Sequence, residues 1–511
     1  MKSLVEGGER SRAKRFLGIF WAGLSAVILM GGCTVGPNYR RPEATAVPQA
    51  YSRIPEGWKM AEPQAHLPKG RWWEIFGDSE LNRLENQAQA ANQNLKAAYA
   101  RFAQARAVAD AARSGLFPRL GASFQALEQH DSENRPVGGK RGQTYDVFTV
   151  PFDLSYEVDL WGRVRRSAES ASAQAEAFAD DAEAVKLSIQ AEAAADYFTI
   201  RTLDADRALL LSTIDVYQKS LELVRNRRSG GVASDLDVAQ AETVLKTARA
   251  QVSDNALQRA KFETALAVLL GQNPSLFHLV EAPLDLGPPV APDPGLPSAL
   301  LERRPDIAAS ERRMAAANAQ IGTATAAFFP TIKLGLTTGF WSGALGSDRD
   351  LSTLFEKSSQ FWIVNPALIL PVIQGGQLSA NLRQAKAAYE EAVARYRQTV
   401  LAAFAEVESS LAAVHHLARQ YDDLRDALVS ARTQLDVAHH RYVAGLVTYL
   451  QVATAQNTSL GIERSALRLR GQQLVATVGL IKALGAGWES PSSVPPKQND
   501  GQFQPQDPND H

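Results

Sequence analysis

Two intervals of the chain carry the residue pattern of helices that are too long for an ordinary globular core. Residues 163–228 contain neither Pro nor Gly and are rich in Ala, Glu, Gln and Leu, and a matching interval covers residues 377–441. At 1.5 Å per residue, each interval predicts a helical rod of about 100 Å. Apolar residues step by three and four from Val407 to Tyr442. This spacing indicates packing against neighbouring helices.

A shorter helix is predicted to return along each rod after a tight turn, at residues 234–270 and 448–484. Apolar residues of the second returning helix recur every seven positions, as in a coiled coil: Ala453, Leu460, Leu467, Leu474 and Ile481. Each returning helix covers just over half of its rod. Further helices, at residues 79–113 and 306–327, are therefore predicted to cover the remainder.

Two other intervals, residues 118–158 and 330–371, alternate apolar and polar residues with the period of β-strands. Each predicts a hairpin with a long polar loop, at residues 129–143 or 342–359. Aromatic residues bracket one strand at both ends, at a separation of roughly 28 Å along the membrane normal, which suits an outer-membrane barrel. An edge of a soluble sandwich is the alternative. Bends are predicted at three prolines, Pro151, Pro366 and Pro371.

The chain is an internal duplication. Matching residues recur at an offset of 214: Gly162 and Gly376, Arg227 and Arg441, Gly231 and Gly445, Val238 and Val452. Upstream of them, Phe117-Pro118 and Phe329-Pro330 match at an offset of 212. Such a duplication suits a body built around an axis better than an enzyme with a cleft.

Four strands in one chain cannot close a barrel, and an open sheet edge is not tolerated in lipid. Several copies must therefore share one barrel. Two copies would supply eight strands, which leave an interior filled by side chains, so three copies are the smallest number that leaves a hole.

The N-terminal residues carry a targeting signal. Basic residues between Lys2 and Arg15 precede an uncharged apolar run, Phe16 to Met30, which is too short to span a bilayer comfortably. Gly31-Gly32-Cys33 follows, and this ending resembles the lipobox of bacterial lipoproteins, in which the Cys becomes the lipidated first residue. Thr34 at the next position implies sorting to the outer membrane. The alternative is a leftover thiol.

Composition excludes several classes of protein. The chain has 54 Lys and Arg against 55 Asp and Glu, so nothing suggests nucleic-acid binding. Cys33 is the one cysteine, which excludes disulfides and a Cys-based metal site. After residue 33 no apolar run is long enough for a transmembrane helix, and residues 488–511 have the composition of a disordered tail.

The sequence predicts neither an enzyme nor a cofactor site. Glu302, Arg303, Arg304 and Asp306 form a charged cluster that we interpret as structural ion pairs. Two pairs of adjacent histidines point about 100° apart on a helix, whereas helical metal ligands need a spacing of three or four. The sequence contains no evident motif of a phosphate-binding loop or of a catalytic triad.

Four strings, in order along the chain, resemble one known family: CTVGPNYRRP at residues 33–42, WWEIFGDSEL at 72–81, YEVDLWGRVRR at 156–166 and LLERRPDI at 300–307. They are similar to the outer-membrane efflux factors of tripartite pumps, of the TolC and OprM type, most closely the NodT-like lipoprotein branch. The resemblance implies a mainly α fold with a membrane β part. Three copies would form one α-barrel of long antiparallel coiled-coil helices in the periplasm and one shared twelve-stranded β-barrel in the outer membrane of a Gram-negative bacterium.

The resemblance also implies function and partners. The homotrimer would be a passive exit duct for compounds that a periplasmic adaptor and an inner-membrane transporter of the RND type deliver. Three alternatives stay open: the outer-membrane channel of a type I protein secretion system, a lipid-anchored coiled-coil scaffold without a pore, and a cell-wall enzyme on a helical stalk. The cargo, whether drugs, metals or other solutes, also stays open.

On this interpretation the chain has five divisions: a signal peptide at 1–32, an extended equatorial segment at 33–78, a first repeat at 79–285, a second repeat at 286–487 and a tail at 488–511. Each repeat contains a helix, a strand hairpin at 118–158 or 330–371, and a helical hairpin at 163–270 or 377–484.

The two turns between rod and returning helix are the predicted docking tips for the adaptor. Gly231 and Gly445 supply the left-handed residue of each turn, and Ser234 or Thr448 would cap the next helix. Arg227 and Arg441 stand at matching points where they could meet acidic or carbonyl groups of a partner, with Tyr442 beside the second. In the family these positions belong to hairpins that contact the adaptor.

The gate is predicted just past the second tip, as an apolar ring from Leu450 that closes the resting channel by dewetting. The alternative is that Leu450 is a coiled-coil core residue of its own hairpin. Many relatives place an inward Asp where this chain has Thr454, so the resemblance leaves a charged ring in doubt. Asp237 matches another gate carboxylate of the family, and we expect it to contact Arg441 or Tyr442.

Overall fold

The computed structural model describes residues 34–42, 70–134, 142–284, 303–345 and 352–485. The predicted signal peptide, Cys33 and the predicted tail lie outside these residues. The chain divides into two compact units: Met1–Pro42, Gln104–Ala175 and Arg312–Ala394 form the first, and Glu43–Ala103, Glu176–Glu311 and Arg395–His511 form the second. Each unit takes parts of both sequence repeats, because each repeat contributes its strand hairpin to the first unit and its helix tips to the second.

In the described part of the chain the α-helices are α1 Ser79–Ala91, α2 Gln93–Ser114, α3 Arg163–Ser229, α4 Asp235–Leu269, α5 Pro305–Ala326, α6 Gln377–Val443 and α7 Tyr449–Ala483. The two long helices, α3 and α6, have 67 residues each, and their returning partners α4 and α7 have 35 each. They lie where the apolar spacing predicts them. Among the described residues, no helix combines the length and apolar content needed to cross a membrane.

The single helix predicted over residues 79–113 is wrong, because Asn92 interrupts it. Asn92 has an extended ψ of 126°. Its side-chain oxygen accepts a hydrogen bond from the Leu95 N–H at 3.0 Å, so it caps α2. Its Nδ2 donates to the Leu269 carbonyl at 2.8 Å, at the end of α4. The same side chain therefore stops α1, starts α2 and fastens the end of a third helix.

The strands form one antiparallel sheet in the first unit: β1 Arg119–Ala122, β2 Gln125–His130, β3 Thr144–Val158, β4 Thr331–Leu345 and β5 Gln360–Ile369. β3 and β4 are central and pair with each other over residues 145–158 and 332–345. β1 and β2 pair with the other side of β3, and β5 pairs with the other side of β4. The first predicted strand is thus split in two, but the sheet keeps four strand positions, with β1 and β2 at one edge and β5 at the other.

Pro151 was expected to bend its strand, yet it lies inside the continuous β3, opposite Gly339 of β4. A Cβ on Gly339 would lie 2.1 Å from the Val150 carbonyl oxygen, so only glycine allows this close approach of the two strands. Pro366 lies inside β5, and Pro371 follows its end. Gly339 therefore gives room for Pro151 in a central strand.

Many large apolar side chains of the sheet and its flanks are exposed: Phe117, Leu120, Phe124, Leu127, Phe152, Trp341, Trp362, Ile363, Val364, Leu368 and Ile369. This amount of exposed apolar surface is unusual for a protein face that contacts water. It is what a face in contact with lipid would have.

The main core of the second unit lies where the short helices end against the long ones. Its buried members come from Trp72 and Trp73, from helices α1, α3, α4 and α7, and from the C-cap of α4 at Leu270. They include Trp73, Leu81, Leu84, Phe198, Leu266, Leu474 and Ile481. The last two belong to the predicted heptad of α7. Dense apolar burial at this level holds the helices of both repeats together.

The duplication extends from residues to contacts. In the first repeat, Asn92 Nδ2 donates to the Leu269 carbonyl; in the second, Arg304 Nη1 donates to the Ala483 carbonyl at 3.1 Å. The donors are offset by 212 and the acceptors by 214, as in the sequence. Gly271 and Gly485 sit just beyond those acceptors with φ of 66° and 69°. At the ends of α4 and α7, corresponding positions of the repeats therefore make corresponding contacts.

Candidate gate and docking tips

The two tips are the same turn built twice. In the first, the N–H groups of Gly230, Gly231 and Val232 donate to the carbonyls of residues 226, 228 and 227. In the second, those of Ala444, Gly445 and Leu446 donate to the carbonyls of residues 440, 442 and 441, which is the same pattern at an offset of 214. The φ angles of Gly231 and Gly445 are 73° and 76°, and no other group lies close to their Cα hydrogens. A side chain would therefore strain the backbone without a clash.

The helices that leave the tips are capped differently. Ser234 and Asp237 form a capping box at the start of α4: the Asp237 N–H donates to Ser234 Oγ, and Asp237 Oδ2 accepts from the Ser234 N–H at 2.9 Å. Thr448 occupies the N-cap of α7, but its side chain makes no capping bond. The expected cap is thus present at the first tip only.

Within the chain, Asp237 is occupied by this capping box and not by the expected contact with Arg441 or Tyr442. Asp237 Oδ2 also accepts from Ser234 Oγ at 2.9 Å. The Tyr442 hydroxyl is buried and has no hydrogen-bond partner in the described ranges. The expected contact of Asp237 with Arg441 or Tyr442 is therefore not made within the chain.

Arg227 joins the two tips to each other. Its Nη1 and Nη2 donate to the Tyr442 and Val443 carbonyls, each at 2.7 Å. Its guanidinium carbon also lies 4.8 Å from the centre of the Tyr442 ring. These carbonyls end α6, where the helix dipole favours a cation. The donors that we expected to meet a partner protein are thus used inside the chain, and Arg227 acts first as a positioning residue.

Arg441 occupies the matching place on the second tip but has a different environment. Its side chain is exposed, and its guanidinium has no partner within the residues that the structure describes. Tyr442, by contrast, is only 5% exposed and packs edge to face with Tyr449 at 5.5 Å. Docking through the Tyr442 ring would require this core to open, so among the predicted docking side chains Arg441 is the accessible one.

Leu450 is 55% exposed, while its neighbours Tyr449, Val452 and Ala453 are buried. The alternative interpretation, in which Leu450 packs into the core of its own hairpin, therefore does not describe this chain. Thr454 lies one turn further on, and its Oγ1 donates to the Leu450 carbonyl at 2.8 Å. Both side chains lie on the exposed face of α7, where a gate residue must be.

Beneath the tips, an apolar cluster joins the two helical hairpins. It contains buried residues of α3, α4, α6 and α7, including Leu210, Tyr217, Val224, Val244, Tyr442, Tyr449 and Val452. The Tyr217 hydroxyl donates to the Gln456 carbonyl at 3.2 Å. Burial raises the pKa of Tyr217 and of Tyr449, so both stay neutral hydrogen-bonding groups.

Below this cluster a buried ion pair connects the repeats, and sequence reasoning missed it. Arg464 of α7 donates two hydrogen bonds to Asp206 of α3, at 2.6 and 2.8 Å, and the side chains are 16% and 4% exposed. Asn255 Nδ2 donates to the same carboxylate at 2.9 Å. The hydrogen bonds to Asp206 raise the pKa of Arg464. Opposite charges far apart in sequence give no signal that they meet.

A groove of about 600 Å³ runs along the same face, between α3, α6 and α7. Its walls combine apolar side chains, such as Leu435 and Leu460, with polar ones, such as Ser220 and Asp436, and they include the ion pair of Arg432 with Glu463. Local residue patterns do not predict this groove.

Arg304 of the charged cluster pairs with Asp306 and with Glu406, each at 2.6 Å, as predicted for it. Glu302 lies outside the described residues. In the described part of the chain, no three His, Cys, Asp or Glu side chains are grouped closely enough to hold a metal ion.

The chain is similar to known proteins over most of its length. The family model "Outer membrane efflux protein" matches residues 84–272 and again 296–486, one match for each repeat. OprJ, an outer membrane protein of Pseudomonas aeruginosa, is 33% identical over 482 residues, which cover 92% of this chain and 97% of OprJ. The toluene efflux pump outer membrane protein TtgF of Pseudomonas putida is 32% identical over 480 residues, with the same coverage. The structure of the open state of the Neisseria gonorrhoeae MtrE outer membrane channel superposes with a TM-score of 0.77 at 28% identity, and covers 90% of this chain and all of MtrE.

Proposed function

Because this chain belongs to the outer membrane efflux protein family, we propose that it works as the outer-membrane exit duct of a tripartite efflux pump. The protein is an outer-membrane component of efflux. Beyond that, we propose that it conducts passively, without catalysis, compounds that an inner-membrane transporter of the RND type and a periplasmic adaptor deliver. The identity of the cargo depends on that transporter.

One observation carries the proposal: the antiparallel sheet has four strand positions and ends in two open edges, with large apolar side chains exposed between them. An unpaired edge in lipid leaves backbone N–H and C=O groups without partners, at several kcal/mol each. Pairing the β5 edge of one copy with the β1 and β2 edge of the next removes the cost. Three copies then give twelve strands and a barrel wide enough to conduct.

The tips supply the gate and the docking surface. We propose that Leu450 forms an apolar ring that closes the resting duct, with the neutral Thr454 beside it. Arg441 and the glycine turns at Gly231 and Gly445 would meet the adaptor. Cys33 would carry the lipid anchor.

The proposal is tested by efflux in a strain that lacks its own outer-membrane factor. Expression of this chain together with its adaptor and transporter should restore resistance to the compounds that the transporter exports. The matched control is a Gly231→Val and Gly445→Val double variant, which should keep the trimer but lose efflux and adaptor crosslinking. Normal trimers in the outer membrane that never restore efflux would contradict the function.

The gate is tested separately, by replacing Leu450 with Ser and recording conductance in planar bilayers and susceptibility to large antibiotics. We expect a leakier trimer of normal stability, because a smaller polar side chain keeps the constriction wet. Val429, which is 64% exposed on α6, is the control for loss of an exposed apolar side chain. A Leu450→Ser trimer with the conductance of the unchanged protein would reject this gate.

A further inference from the structure

We propose that a pocket in the first unit binds organic anions, namely solutes with a carboxylate, phosphate or sulfonate group and a small apolar body. The pocket, which we call the junction pocket, lies where β1 and β4 begin and β3 ends, beside the end of α2 and the start of α3. Its charged lining consists of Arg119, Glu157, Arg163 and Lys333. The inference rests on the proposed function, because it assigns the polar face of the sheet to the interior of the duct.

The strand register puts the charged strand residues of the pocket on one face of the sheet. Arg119 pairs with Ser155, and Glu157 pairs with Lys333. Paired residues of an antiparallel ladder point to the same face, as do residues two apart along one strand. An outer-membrane barrel turns its apolar face to lipid and its polar face inward, so the junction pocket lies on the inner side. The alternate positions face the lipid side and are apolar: Leu120, Leu154, Leu334 and Leu336.

The junction pocket has an excess of positive charge. Both oxygens of Glu157 accept from Arg163, whose Nε and Nη2 donate at 2.9 and 2.7 Å. Lys333 lies opposite Glu157 in the ladder, but within the residues that the structure describes it has neither a hydrogen bond nor an ion pair. Arg119 is likewise unpaired among them. Two exposed cations therefore line the pocket without a counter-ion.

A neighbouring copy would not supply that counter-ion through its sheet. In the proposed barrel, β1 of one copy pairs with β5 of the next. The sequence of β5 is QFWIVNPALI, which contains no acidic residue. The next carboxylate on the polar face of the same chain is Asp153, which accepts a hydrogen bond from Thr337 Oγ1 at 2.6 Å. The two cations thus stay available to a solute.

The rest of the lining suits an organic anion. The hydroxyls of Ser155 and Ser167 line the pocket and have no hydrogen-bond partner in the described part of the chain, so they are free to donate to anionic oxygens. Val164 and Phe117, which is 67% exposed, provide apolar wall. The volume is about 430 Å³, which falls in the range of small-ligand pockets, roughly 300–1,000 Å³.

The site occurs once in each chain, although the chain is duplicated. Arg163 matches Gln377 at the offset of 214, and Arg119 matches Thr331 at the offset of 212. The second repeat therefore lacks these two cations. Three copies would supply one ring of three sites, and rings of Arg or Lys side chains favour anions in pores.

Calorimetric titration of the detergent-solubilised protein with phenyl phosphate tests the site. Benzyl alcohol and benzylammonium are the neutral and cationic comparisons. We expect only phenyl phosphate to bind, and Arg119→Gln or Lys333→Gln to weaken its binding at least about tenfold, because each removes a charged donor. Lys333→Arg should retain binding. The matched control is Lys357→Gln, which removes an exposed lysine just before β5, at the other end of the sheet, and should leave binding unchanged.

Glu157→Gln should have the opposite effect, which general damage to the fold would not produce. It raises the net positive charge of the pocket, so phenyl phosphate should bind about threefold more tightly, the effect of one charge roughly 6 Å away in water. Weaker binding by Glu157→Gln would contradict the proposal. Equal binding of phenyl phosphate by the unchanged protein and by an Arg119→Gln and Lys333→Gln double variant would overturn it and leave the proposed duct intact.

Membrane phospholipids carry the same phosphate chemistry, so the source of the anion is tested separately. The phosphorus content of the purified protein is measured before and after addition of phenyl phosphate. We expect no phospholipid that depends on Arg119 and Lys333. One phospholipid per chain that phenyl phosphate does not displace, and that the double variant lacks, would reject a solute site on the inner side.

Ion selectivity tests whether the site lies on the path through the duct. In a salt gradient across a planar bilayer, open Leu450→Ser trimers should prefer anions less once Arg119→Gln and Lys333→Gln are added, because six positive charges are lost from one ring. An unchanged reversal potential would contradict the position of the site. A protein that binds phenyl phosphate as expected but never conducts would fail the proposed function and not the anion site.

Discussion

Replacing Arg227 with Ala should favour the open duct, because Arg227 ties the two tips of each chain together. The side chain makes two hydrogen bonds of 2.7 Å from a charged donor and one cation–π contact. Hydrogen bonds to charged groups contribute about 1.5–3 kcal/mol each, and an exposed cation–π contact about 0.5–1 kcal/mol. Because the site is partly exposed to water, we discount the total to roughly 2–4 kcal/mol per chain.

If the tips must separate before the duct conducts, this energy is lost only from the closed state. At about 1.4 kcal/mol per tenfold change, the ratio of closed to open states should fall by at least roughly 20-fold per chain. Single-channel recording of Arg227→Ala measures this ratio directly. The ratio of closed to open states for Arg227→Lys should lie between those of the unchanged protein and Arg227→Ala, because one ammonium group replaces the two donating nitrogens of the guanidinium.

The matched control is Arg225→Ala, on the same helix two residues earlier. Arg225 pairs at 2.7 Å with Glu242 of its own hairpin and is 55% exposed, so its loss removes a cation without separating the tips. We expect conductance close to that of the unchanged protein. Equal behaviour of the Arg227→Ala and Arg225→Ala trimers would refute the role of Arg227 as a link between tips.

Local pattern predicted the long and the returning helices well, but it did not predict which groups form hydrogen bonds across the fold. The absence of Pro and Gly over α3, and the heptad of α7, are properties of neighbouring residues, so they are visible in sequence. The break at Asn92 depends on a carbonyl at Leu269, 177 residues away. A backbone carbonyl has no sequence signature, and this is also why Arg227 was expected to contact a partner protein.

The candidate site shows the same limit. The glycine turns were predictable because only a residue with a positive φ fits there. Burial of Tyr442 was not, because it lies at the end of a helix, where heptad positions do not determine which face a second hairpin covers. The buried pair of Arg464 and Asp206 joins residues 258 positions apart, and neither has a local pattern that distinguishes it from a surface charge.

Three further predictions concern stability and lipidation. Arg464→Leu leaves Asp206 buried without its cation, so it should lower the free energy of unfolding by denaturant by about 3–5 kcal/mol. Arg432→Ala breaks a more exposed pair and should lower it by about 0–1 kcal/mol. Equal losses would contradict a buried, structural role for the pair of Arg464 and Asp206. Burial, with a smaller effect of Glu192, raises the pKa of Asp196 to about 6, above its unfolded value, so its contribution to stability grows as the pH falls through 6 toward 4. Asp196→Asn should therefore raise the thermal midpoint more at pH 7.5 than at pH 4.5, and a gain independent of pH would contradict that shift. Cys33→Ala should abolish labelling with a fatty-acid probe and leave trimers that fold in detergent; labelling that persists would reject Cys33 as the anchor.

The most direct test of the account is the mass of the detergent-solubilised protein, measured by light scattering, together with its conductance in planar bilayers. We expect a complex of three chains, each of 55.4 kDa less the predicted signal peptide, that conducts once the tips are loosened by Leu450→Ser or Arg227→Ala. A stable monomer, or a trimer that stays closed with its tips loosened, would contradict a duct built from three open-edged sheets.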